Sequence, residues 1–123
     1  MTVLLALAAG SAAADWVSLG DQGSAEVFVD RSTIVRSGNS ATMWRVNALK
    51  TPASANGIAY VSIKLQDEYD CSGMRMRGVR ASAHPEPLGE GPAVTSEKGS
   101  GTWTPVTPLA ISEVLWKIAC DKE

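Results

Sequence analysis

Between Ile58 and Cys71 apolar and polar side chains alternate. Val61, Ile63, Leu65 and Tyr69 fall on one parity, and Ser62, Lys64, Gln66, Glu68 and Asp70 on the other. A period of two marks a β-strand with one face covered and one face wet. Cys71 has the parity of the apolar set and so points toward the core. Ser72-Gly73 then reads as a hairpin turn, with a returning strand from Met74 to about Ala83. Upstream, shorter runs read the same way: Trp16 to Leu19, Ala25 to Val29 with a weak continuation at Thr33, Ile34 and Val35, and Ala41 to Leu49. The last of these sets Trp44, Val46 and Ala48 against Met43, Arg45 and Asn47. Together the runs predict an antiparallel meander of about five strands.

From His84 to Thr107 the alternation stops and Gly, Pro, Ser and Glu dominate, which predicts loops. Beyond them Ile111, Val114, Leu115, Ile118 and Ala119 recur at helical spacing, with Thr107 as cap and Pro108 in the first turn. One C-terminal helix should therefore cover one face of the sheet, over a core containing Ile63, Leu65, Trp44 and Val46. The fold class is α+β.

At 123 residues the chain fits one domain with one modest core. A charged fraction of 20% and an apolar fraction of 45% exclude a disordered chain and a multi-span membrane protein. The net charge of −2 leaves no global positive field, so nucleic acid is not an expected partner. Residues 1–14 run from an apolar stretch at Val3 to Ala9 into Ala12-x-Ala14, the layout of a secretory signal peptide and too short to span a bilayer. A short buried helix is the competing reading, because no basic residue precedes the run; a translation start further upstream accounts for that absence. The mature domain would be residues 15–123. Export gives the two cysteines, Cys71 and Cys120, an oxidising environment in which to pair, stapling helix to sheet.

Three acids, Asp67, Glu68 and Asp70, precede Cys71, and three arginines, Arg75, Arg77 and Arg80, follow it. If Ser72 and Gly73 form the turn, Asp70 faces Arg75 and Glu68 faces Arg77 on the wet side. The charges then cancel in pairs. The other reading is an arginine patch that binds an acidic partner, with Arg80 outside the pairing. The acids lack calcium-loop spacing, and two cysteines with His84 cannot make a four-ligand zinc site, so no metal or cofactor is expected. His84 sits in His-Pro-Glu-Pro and reads as a surface loop residue, with no nucleophile elbow near it; no catalytic residue is assigned. Trp116 and Leu109 fall outside the helix's apolar stripe. Either the helix is buried on two sides or this pair meets a partner. Arg75, Arg77, Arg80, Trp116 and Leu109 are the candidate partner-binding residues.

Asp15-Trp16, Val27-Phe28-Val29-Asp30 with Ser32, Ile34 and Arg36, Trp44, Glu68-Tyr69-Asp70-Cys71, Trp103 with Pro105-Val106, Pro108 and a helix ending in Cys120 follow one another along the whole mature chain. In order and spacing these marks resemble the surface-adhesin protein E family, a small exported proteobacterial domain. The resemblance implies a twisted antiparallel sheet on a C-terminal helix held by a disulfide. It also implies a non-enzymatic role, with binding of host extracellular-matrix proteins at the cell surface. The expected function is thus an exported, adhesin-like domain that recognises a protein partner, with a second copy of the chain as a further candidate. The alternative is a periplasmic protein that holds a small ligand between sheet and helix, or one with a structural role in the envelope. No lipid-attachment cysteine follows the export segment, so both periplasm and cell surface remain open as the destination.

Overall fold

The computed structural model describes residues 14–123. The expected export segment, residues 1–14, lies outside the described residues except for its last position. Seven strands form one open antiparallel sheet: β1 (Val17–Asp21), β2 (Ala25–Ser37), β3 (Ser40–Ala55), β4 (Ile58–Asp70), β5 (Arg75–His84), β6 (Thr95–Lys98) and β7 (Thr104–Pro105). The first six are neighbours in chain order, as a meander requires, and β7 pairs with the other end of the same edge of β5. About five strands were expected, and the two extra ones come from the segment read as loop. Thr95–Lys98 is polar and lies at the sheet edge, where only one flank is paired, so no apolar alternation betrays it. Its end is fixed by a close backbone approach: a Cβ on Gly99 would collide with the backbone of Gly78.

β2, β3 and β4 are thirteen, sixteen and thirteen residues long, and irregularities break their ladders. Between β2 and β3, residues 31–34 bulge opposite Met43. Asp30 sets this bulge. Its Oδ1 accepts from the Ser32 amide at 2.9 Å, its carbonyl accepts from Thr33 Oγ1 at 2.6 Å, and Thr33 Oγ1 in turn accepts from the Trp44 amide at 3.0 Å. The ladder resumes beyond it. Such a bulge leaves extra residues unpaired and bends the strand.

The helix α1 (Ile111–Ala119) packs one face of the sheet. The buried cluster there combines Val27, Val29, Ala41, Met43, Tyr69 and Cys71 of the sheet with Leu115, Trp116, Ile118, Ala119 and Cys120. Cys71 and Cys120 form the expected disulfide, with Cα atoms 5.5 Å apart. The expected core is corrected in part. Cross-strand partners share a face, and Trp44 pairs with Gln66 while Arg45 pairs with Leu65. Trp44 and Val46 therefore lie on the side away from α1, with Ser62 and Lys64. Ile63 and Leu65 share the helix's side but sit further along β4, half-buried. Val46 is fully buried all the same. On its side a loop with a 3₁₀ turn (Pro87–Gly89) closes over Ser62, whose hydroxyl donates to Glu86 O at 2.7 Å and accepts from the Gly89 amide at 2.9 Å.

The helix begins three residues later than Thr107 and Pro108 suggest. Leu109 takes a left-handed φ of 63°, and the side chains of Ser112 and Glu113 turn back to accept from the amides of Thr107 (3.0 Å) and Leu109 (2.9 Å). Its buried side is also rotated: Trp116 is buried and Val114 is exposed. Reduction of the disulfide, or replacement of both cysteines by serine, removes a crosslink across 49 residues of sequence. Chain entropy then predicts a loss of about 4 kcal/mol. Denaturant midpoints with and without reductant measure it; an unchanged midpoint would mean the staple does not limit stability.

Candidate functional site

The face of the sheet away from α1 carries the charged hairpin. Asp70 pairs with Arg75 and Glu68 with Arg77 in the expected register. Arg75 donates from Nε (3.0 Å) and Nη2 (2.6 Å) to Asp70 Oδ2, and Arg77 Nε donates to Glu68 Oε1 at 2.9 Å. The turn is a four-residue loop, 71–74, and its left-handed residue is Met74 (φ 48°), not Gly73. Asp70 organises it: Oδ1 accepts from the Ser72 amide and hydroxyl and from the Gly73 amide. The Arg75 guanidinium first, and the Ser72 hydroxyl after it, pull the Asp70 carboxyl down to about 2. Asp67, by contrast, is on the helix side. It is 3% exposed and accepts from Arg45 Nε at 2.6 Å, beside a Tyr69 whose phenol burial pushes far above its usual range. The three acids therefore do not form one group.

β7 delivers Trp103, a residue with no role in the sequence reading beyond family resemblance. Its ring lies 4.3 Å from the Arg77 guanidinium and 5.0 Å from that of Arg75, so both arginines are paired to a carboxylate and stacked on an indole. The signal was absent from local pattern because β7 and β5 are almost thirty residues apart in sequence.

Beyond a bulge at Val79 the same strand presents Arg80, which has no carboxylate partner among the described residues. Arg80 lines an open cavity of about 580 Å³ together with Trp44, Ser82, Ser96, Glu97 and Lys98. The small-ligand space considered between sheet and helix is thus found on the opposite face. His84 also corrects its expectation. It ends β5 and is 8% exposed, because the loop after it folds back: Nδ1 meets Gly91 O at 2.9 Å and Nε2 meets Ser82 Oγ at 2.7 Å. A backbone carbonyl, not a carboxylate, holds the far nitrogen, unlike a catalytic triad.

Trp116 is 7% exposed, and its indole N–H donates to Asp70 O at 2.7 Å. Trp116 thus belongs to the single, rotated buried side of α1. Leu109 is 99% exposed. Among the described residues no group of His, Cys, Asp and Glu is arranged to hold a metal, and no helix is long and apolar enough to cross a membrane.

The sequence model of the family described as surface-adhesin protein E matches residues 16–121. The chain belongs to that family. Solved structures of protein E from Haemophilus influenzae are similar. One crystal form aligns with a TM-score of 0.73 at 14% identity over 91% of this chain and 91% of that one. Protein E from the non-typeable organism aligns at 0.71 and 14% identity, over 90% of this chain and 78% of that one. At such identity the likeness shows the fold. No curated protein matches the sequence. Membership implies an exported, adhesin-like surface protein with a non-enzymatic role.

The depressed Asp70 pKa has a definite sign in stability. The contribution is present above the unfolded value near 3.8 and is lost as pH falls through about 2. Between pH 5 and pH 2 the melting temperature of the parent should fall further than that of Asp70→Asn. Parallel curves for the two would dissociate the hairpin turn from acid sensitivity.

Proposed function

We propose that the chain is an exported adhesin-like domain that recognises a protein partner, in the first instance an extracellular-matrix protein, through the Trp103, Arg75 and Arg77 stack. The observation that carries this reading is the stack itself. Trp and Arg dominate the energetics of protein interfaces, because a planar ring or guanidinium buries much area and loses little side-chain freedom. Here the arginines are already held over an indole and neutralised by Asp70 and Glu68. A partner therefore meets a rigid, electrically balanced surface and bears little cost for ordering it. The fully exposed Leu109 adds an apolar contact point outside the sheet. Family membership supports residence at the surface, and accessibility on intact cells distinguishes this from a periplasmic pool.

The protein immobilised against a panel of purified matrix proteins should retain at least one of them. Trp103→Ala should weaken that binding at least tenfold, about 1.4 kcal/mol, with unchanged circular dichroism. Retention of none overturns the adhesin reading. Equal retention by parent and variant moves the interface to another face.

A further inference from the structure

Of the eleven lysines and arginines, Arg31, Arg45, Lys50, Arg75, Arg77 and Lys117 each hold a carboxylate. Arg36, Lys64, Arg80, Lys98 and Lys122 hold none among the described residues; Arg36 donates instead to the Cys120 carbonyl, whereas Arg80 and Lys98 line one cavity and Lys64 stands over the Trp44 ring in its wall. Arg80 and Lys98 are direct cross-strand partners, a like-charge pairing that costs stability. A lysine on an edge strand discourages strand pairing, which accounts for Lys98 alone. It does not account for Arg80 on the inner strand, nor for the half-buried indole of Trp44 in the cavity wall with Lys64 Nζ 5.1 Å from its ring. Ser82 and Ser96 form the next cross-strand pair on this face. Because Gly91 O can only accept, Nδ1 of His84 donates to it, and in the neutral ring Nε2 accepts from the Ser82 hydroxyl. The Ser82 lone pairs are left to accept from a ligand.

We propose that this cavity binds an acidic saccharide. A carboxylate or sulfate lies between Arg80 and Lys98, ring hydroxyls meet Ser82 and Ser96, and the apolar face of a sugar ring rests on Trp44. The volume falls in the range of small-ligand sites, roughly 300–1,000 Å³. A nucleic acid strand would also stack and pair with cations, but it needs a continuous basic track. Here the neighbouring Arg75 and Arg77 are neutralised by Asp70 and Glu68, so the track is not continuous. The inference goes beyond the protein-binding reading, since the cavity is at the β6 end of β5 and the Trp103 stack at its β7 end.

Calorimetric titration of the full chain with heparin hexasaccharide and hyaluronan hexasaccharide tests it, with maltohexaose as the neutral probe and oligothymidylate as the phosphate probe. At least one acidic hexasaccharide should bind and maltohexaose should not; which one binds identifies sulfate or carboxylate as the preferred anion. Arg80→Ala with Lys98→Ala should weaken binding at least tenfold. Lys117→Ala with Lys122→Ala, which removes the same charge elsewhere, should weaken it less than twofold. No binding of either acidic probe, equal losses in the two double variants, or tighter binding of oligothymidylate would overturn the proposal. Because the protein-binding test reads Trp103, either proposal can fail alone.

On the β1 side of the sheet, Asp30 is 3% exposed and holds no cation among the described residues. Burial works against its charge, but hydrogen bonds from Ser32 and from the Asp15 amide, 3.0 Å from Oδ2, outweigh it and hold the carboxyl below its usual range. Hydrolysis of the bond after Ala14, with water supplying hydroxyl to the Ala14 carbonyl and hydrogen to the Asp15 nitrogen, gives a carboxylic acid and an amine; the acid's proton then passes to the amine, which becomes an α-ammonium. We infer that export cleavage completes an ion pair at Asp30 and so couples processing to the final fold. Mass spectrometry of the exported protein should find Asp15 as its first residue. Selective acetylation of the α-amine should lower the parent's melting temperature by several degrees and leave Asp30→Asn unmoved. A different first residue, or the same drop in both proteins, would overturn it.

Discussion

The tie between the hairpin turn and the end of the helix governs the packing of this domain. A helix of nine residues is too short to persist alone in water. Its last turn is joined to the β4–β5 turn by the Cys71–Cys120 bond, and one helical turn earlier the Trp116 indole donates to the carbonyl of Asp70. Asp70 is thus held from both sides: its carbonyl by the helix, its carboxylate by the turn amides and Arg75. Covalent bond, buried indole and charged turn fix one corner, and Leu115, Ile118 and Ala119 are thereby laid on Val27, Val29, Ala41 and Met43.

Fixing the helix on one face decides the character of the other. Because side chains alternate, the residues between the core positions must face away, and there the sheet carries Trp44, Lys64, Gln66, Glu68, Asp70, Arg75, Arg77 and Arg80. Part of that face, over Val46 and Ser62, is closed by the loop after β5; the rest is left to charged and aromatic groups. The bulge at Val79 divides it into the β7 end, where charges cancel, and the β6 end, where they do not.

What was legible in the sequence followed from local physics. The alternation of β4, the parity of Cys71 and the two-by-two facing of Asp70 with Arg75 and Glu68 with Arg77 all survive, although the turn is looser than a two-residue one, because register propagates from whichever pair closes the loop. The face of Trp44 was not legible: alternation within β3 says which residues go together, and only the pairing with β4 says with whom. β6, β7, Trp103 and the burial of His84 depend on a loop folding back across the sheet, a long-range event that a Gly- and Pro-rich segment does not announce. Leu109 and Trp116, both outside the aliphatic stripe, part company: Trp116 is buried beside the stripe, whereas the left-handed turn at Leu109 swings that residue out of the helix altogether.

The division of the outer face bears on how a domain with one small core can present a stable recognition surface. An exposed arginine ordinarily loses side-chain entropy when it binds, about 2 kcal/mol of rotamer freedom being at stake. Arg75 and Arg77 lose that freedom on folding instead, because a carboxylate on the neighbouring strand and an indole delivered by β7 hold each guanidinium. Arg80 and Lys98 are not held in this way, and their mutual repulsion is a cost that the fold carries unless a bound anion relieves it. The same strand thus offers a preorganised surface at one end and an uncompensated charge at the other, so the two ends differ in what they can take: the first a surface that is already balanced, the second an anion.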